Sequence, residues 1–127
     1  MVNRLSEDKK LIFIYNADSG LINAVKDYFH KKRSPETYQC NLCMQTFDGI
    51  SMNKGWKTYI KNLDIPTEFL HKNEFEKKFD IKNAKYPSAY IKNGSSMKIL
   101  ISVDEMNKVK SLDEMKDLVS KKLEASA

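Results

Sequence analysis

With 127 residues, 41% of them hydrophobic and 10% aromatic, the chain can bury one core but not two, and it is no disordered tail. Its longest apolar run, Leu11 to Tyr15, falls far short of the roughly 20 residues a bilayer span needs, and the polar start MVNRLSEDKK lacks the apolar stretch of a secretion signal. A cytoplasmic protein with no membrane partner is therefore expected. The net charge of +5 would suit an anionic partner, but apart from Lys31-Lys32-Arg33 the lysines alternate with Glu and Asp, as in NEFEKKFD and SLDEMKDLVSKKL. Such runs form solvated helix faces, so no nucleic-acid partner is expected.

Residues 1–10 carry almost no apolar pattern and read as a flexible N-terminal segment preceding a single domain over 11–124. LIFIY, residues 11–15, is apolar, β-branched and aromatic, the mark of a buried central strand. NADSG breaks it, and Asp18 or Ser19 can cap a helix whose Leu21, Ile22, Val25, Tyr28 and Phe29 recur every three to four residues. Ser34-Pro35 stops that helix, because the residue before proline avoids the α region and proline has no N–H to donate. Between there and the turn signal Asp48-Gly49 lies a short cysteine-bearing segment, ETYQCNLCMQTF. Trp56, Tyr59, Ile60 and Leu63 then make one helical face, with Asn53 as its cap and Asp64-Ile65-Pro66 as its end.

TEFLH, residues 67–71, reads as a second strand. Asn73 and Glu76 have the spacing of an N-cap and its reciprocal partner, with Phe75 and Phe79 on the buried side of a short helix. Residues 87–91, Asn93-Gly94 and residues 97–102 spell strand, turn, strand, an antiparallel hairpin. Ser102 with Glu105 and Ser111 with Glu114 are two capping boxes; the second opens a terminal helix striped with Leu112, Met115, Leu118, Val119 and Leu123.

The order β-α, cysteine insert, α, β-α, β-β-α resembles the thioredoxin-like superfamily. Lys85-Tyr86-Pro87-Ser88-Ala89-Tyr90 looks like that superfamily's proline loop. The resemblance implies an α/β domain with a mixed four-stranded sheet, helices on both faces, a cis Tyr86–Pro87 bond, and a site made of Cys40, Cys43 and Pro87. One departure stands out. In thioredoxin-like oxidoreductases the C-x-x-C follows the first strand directly, whereas here that turn reads Asn16-Ala17-Asp18-Ser19-Gly20 and the cysteines come after the first helix. The chain is also similar to a widespread group of small uncharacterised bacterial proteins with YNADSG and HK-x-x-SP-x-TY-x-CNLC segments. Some of these are labelled GTPases. This sequence has no G-x-x-x-x-G-K-[ST] loop, and Asn53-Lys54-Gly55-Trp56 lacks the Asp of a guanine-specificity motif.

Chemistry-bearing residues cluster in HKKRSPETYQCNLC, residues 30–43, which holds both cysteines and one of two histidines. Two thiols at C-x-x-C spacing in a reducing compartment point to redox or metal work. If Asn41 caps the following helix, its positive end favours the Cys40 thiolate, the nucleophile of thiol exchange with a protein or small-molecule thiol. No cofactor is needed for that. A zinc reading instead gathers His30, Cys40, Cys43 and His71 into a tetrahedral set. A third reading is an adaptor that performs no chemistry, with the cysteines as inert packing. Geometrically, a helix of about twelve residues from Gly20 runs roughly 18 Å away from the first strand's carboxyl end. Residues 33–39, at up to about 3.3 Å each, can bring the chain back. The cysteines are thus expected within bonding range of each other, close to His30, at that edge of the sheet.

Overall fold

The computed structural model describes residues 9–17, 30, 31, 33, 40–48 and 51–126. The expected turn at Asp18–Gly20, most of the helix after it and the Ser34-Pro35 stop lie outside the described residues; residues 30, 31 and 33 are helical. In chain order the elements are β1 (Lys9–Tyr15), α1 (Asn41–Thr46), β2 (Phe47–Asp48), β3 (Ser51–Met52), α2 (Lys54–Lys61), β4 (Thr67–His71), α3 (Lys72–Lys78), β5 (Ser88–Asn93), β6 (Ser96–Ile101), α4 (Val103–Asn107) and α5 (Leu112–Ser126).

Four strands form one mixed sheet in the order β4-β1-β5-β6, as expected of the main strands. β1 runs parallel to β4 and antiparallel to β5, and β5 and β6 form the antiparallel hairpin. With a neighbour on each side and helices on both faces, β1 is apolar at successive positions rather than alternate ones. Leu11, Phe13 and Tyr15 face a core shared with Trp56 of α2, Met106 of α4, and Met115 and Val119 of α5. Ile12 and Ile14 point the other way, onto Leu70, Tyr90 and Phe75 of α3. In the larger core Trp56 meets Phe13 edge-on at 5.5 Å between ring centroids, and Phe13 stacks on Phe69 at 5.1 Å. Among the described residues, no helix is long and apolar enough to cross a membrane.

Several boundaries differ from expectation for identifiable reasons. Lys9 and Lys10, read as part of the N-terminal segment, belong to β1 because they pair with Asn93 and Lys92 of β5, and Lys10 also meets Glu68 at 3.0 Å. Backbone pairing extends the strand where no apolar residue marks it. In the hairpin Asn93 pairs with Ser96, so Gly94 takes the first central turn position, at φ 63°, where glycine pays no Cβ penalty. The cap of α3 is His71, not Asn73: the Glu74 carboxylate accepts the His71 N–H at 2.8 Å. Glu76 instead accepts a hydrogen bond from the Tyr86 hydroxyl at 3.1 Å. Asn53 caps α2 and the Ser102–Glu105 box caps α4 as expected. The Ser111 box is half made: Ser111 Oγ accepts the Glu114 N–H, but the Glu114 carboxylate takes the N–H of Lys110.

The Tyr86–Pro87 bond is cis, as the resemblance implied. Tyr86 packs edge-on against Phe75, and burial, reinforced by the hydrogen bond to Glu76, pushes its phenol up to about 12 from the ordinary 10.0. The folded chain therefore holds a proton that the unfolded chain loses near pH 10. The stability this supplies is fully present below pH 10 and is lost as pH rises through about 12. In an ultraviolet phenolate titration of the native chain, Tyr86→Phe should remove one phenol's worth of the late-titrating amplitude, leaving that of Tyr15 and Tyr90, which burial also raises.

Candidate functional site

Cys40 and Cys43 bracket the first turn of α1. Their Cα atoms are 5.2 Å apart and their sulfurs are at bonding distance, 2.20 Å, as a disulfide. Three residues of separation along one helical turn bring the side chains onto the same face, which is why the C-x-x-C spacing pairs so readily. The helix cap is Cys40 itself, not Asn41: Cys40 Sγ accepts the N–H of Cys43 at 3.3 Å, and Cys40 O accepts the N–H of Met44 at 2.9 Å. Asn41 is free for another task because a cap is already in place.

That task is docking. Asn41 Nδ2 donates to Met106 O at 2.6 Å and Val109 O at 2.8 Å, satisfying carbonyls at the end of α4, while its Oδ1 accepts from Gln45 at 3.1 Å. At the other end of α1, Lys31 Nζ donates to Cys43 O at 3.2 Å and Phe47 O at 3.0 Å. The cysteine helix is thus tied to the C-terminal half by Asn41 and to the preceding helical segment by Lys31. Neither role was legible in the sequence, since each bond spans a dozen residues or more. Asn41→Ala leaves the Met106 and Val109 carbonyls without this donor and should cost about 1–3 kcal/mol in a urea unfolding titration.

The segment after α1 packs at the carboxyl end of β1. Phe47, which follows α1, meets the Tyr15 ring edge-on at 5.6 Å, and Tyr15 ends β1. Ser88 pairs with Ile14, so Pro87 also lies beside the carboxyl end of β1. The Tyr15 hydroxyl is buried without a hydrogen-bond partner among the described residues, and burial pushes its phenol up. His30 is exposed, next to Lys31 in the helical segment. Both cysteines are buried: Cys40 is 1% exposed and Cys43 7%.

Among the described residues, which include His30, Cys40, Cys43 and His71, no group of three or more His, Cys, Asp or Glu could hold a metal ion. Cys40 and Cys43 are bonded to each other, and in this disulfide form neither is a thiolate that could ligate zinc. His71 is engaged elsewhere. Its Nδ1 lies 2.9 Å from Glu74 Oε1, and its backbone N–H, the chief cause, holds the Glu74 carboxyl below the usual range. No protein-family model matches the chain, and no curated protein or solved structure does either.

Proposed function

We propose that this chain is a small cytoplasmic thioredoxin-like protein whose Cys40–Cys43 pair exchanges between dithiol and disulfide with a protein or small-molecule thiol. The observation that carries the reading is the pair itself: two cysteines at bonding distance, with the Cys43 N–H directed at Cys40 Sγ. A neighbouring N–H donor stabilises a thiolate more than a thiol, which lowers the cost of breaking the bond. A structural staple gains less from this geometry. Closing a loop with a sequence separation of 3 restricts the unfolded chain little, worth about 2 kcal/mol on the chain-entropy account, against about 3 for a 15-residue loop.

The fold supports the same reading. A central first strand, parallel to the second main strand and antiparallel to the third, with Pro87 immediately before that third strand, is the arrangement the thioredoxin-like resemblance implies. The cysteine helix reaches the carboxyl end of β1 by a longer route, after a helix rather than after the strand, and Phe47 against Tyr15 marks its arrival. The burial of both cysteines favours the second reading, an adaptor with a fixed bridge. The two readings separate in a turnover assay with dithiothreitol as donor and a disulfide-bonded peptide as acceptor. The redox reading expects the wild-type chain to accelerate peptide reduction and the Cys40→Ser, Cys43→Ser double variant to leave the uncatalysed rate. Equal rates for the two proteins would leave the adaptor.

A further inference from the structure

We propose that the outer edge of β6 takes an extended acidic peptide as a further strand of the sheet. β6 ends the four-stranded order, with β5 on one side and no described strand on the other. Along an antiparallel strand every second residue turns its N–H and C=O away from its partner, so such an edge offers a row of open backbone groups. Tyr90 pairs with Ile99 and Ala89 with Ile101, which makes Leu100 the extra residue of a bulge. Leu100 and Ile101 both pack on the larger core, and Ile99 stays on the face of its partner Tyr90. There Ile99 is 55% exposed, the one large hydrophobic side chain so placed among the described residues. An apolar side chain on an added strand would cover it.

Charge selects the partner. The alternation of lysine with acidic residues along the helices stops at Ile81: residues 81–103 hold Lys82, Lys85, Lys92 and Lys98 and no Asp or Glu, which is four of the chain's five net positive charges. None of the four is in a salt bridge among the described residues. Lys82 and Lys85 are exposed on the loop before β5, whose Ile81, Ala84 and Tyr86 pack on the same cluster as Tyr90. Lys98 is exposed on β6 itself, and Lys92 Nζ donates to Gly94 O at 2.6 Å, at the hairpin tip. A second copy pairing β6 against β6 would bring the two Lys98 side chains toward each other, like charge against like. A strand that alternates carboxylates with apolar residues meets both features. Main-chain bonds supply its affinity, and Ile99 and the lysines supply its specificity. The proposal does not depend on the Cys40–Cys43 bridge exchanging thiols.

The test is fluorescence anisotropy of the full chain with a labelled peptide of alternating glutamate and valine, blocked at both ends, at physiological salt. A second peptide with a proline at its centre keeps the carboxylates but cannot pair as a strand. The wild-type chain should bind the first peptide at least about tenfold tighter than the second. Ile99→Ser and Lys98→Glu, both at exposed positions, should each weaken the first peptide about fivefold while leaving far-ultraviolet circular dichroism unchanged. Equal binding of the two peptides, no binding of either, or binding that neither substitution weakens would overturn the proposal. Tighter binding of a single-stranded oligothymidylate would give the surface to nucleic acid, and a wild-type dimer that Ile99→Ser dissociates would give the edge to a second copy; either result also overturns it.

Discussion

Cys40→Ser is expected to abolish dithiol–disulfide cycling outright while leaving the chain folded. The serine hydroxyl is a preferred helix cap and can accept the Cys43 N–H in place of Cys40 Sγ, so α1 keeps its first turn. What is lost is the bridge, worth about 2 kcal/mol by the chain-entropy account, and every redox property that depends on two sulfurs. The check is mass analysis across buffers of different oxidising strength: the variant should show no intramolecular bridge in any of them, its one remaining cysteine being either a free thiol or a mixed disulfide with the buffer thiol, with far-ultraviolet circular dichroism unchanged. Cys40→Ala removes the cap as well and should be less stable than Cys40→Ser, by about 1 kcal/mol.

The largest effect on stability is expected at Trp56. Its side chain is fully buried, meets Phe13 edge-on and stacks on Tyr59 at 5.7 Å. Trp56→Ala removes these contacts and opens a cavity beside the central strand, at a cost of about 3–5 kcal/mol. A domain of this size has about 5–15 kcal/mol in total, so a large part of it goes. Trp56→Phe should cost much less, because it keeps the ring contact and discards an indole N–H that has no hydrogen-bond partner among the described residues. Urea titration should give a lowered midpoint at unchanged slope for both variants, with Ala well below Phe.

Elements with local signals were legible in the sequence. The run LIFIY, the strand 67–71, the hairpin around Gly94, the Asn53 cap and the Ser102–Glu105 box are each written within a few neighbouring residues. The sequence is ambiguous where two readings share one spacing, or where a distant partner decides. His71–Glu74 and Asn73–Glu76 have the same separation, and the winner was the residue that also ends β4. Lys9 and Lys10 become strand only because β5 offers them partners. The two-residue strands β2 and β3 carry too few residues for any periodicity. At the site the same division holds: the pairing of Cys40 with Cys43 is a property of one helical turn and was readable. The tethers from Lys31 and Asn41, and the lack of a metal-holding group among the described residues, depend on tertiary placement.

The account stands most directly on whether the Cys40–Cys43 bond opens and closes under conditions in which the chain stays folded. Equilibrating the native protein in glutathione redox buffers, then alkylating and counting thiols by mass, measures this. The account predicts one two-electron transition, from no free thiols to two, at a potential between about −270 and −120 mV, the range of proteins that exchange disulfides for a living. A bond that persists below about −300 mV, as fixed structural disulfides do, would contradict it.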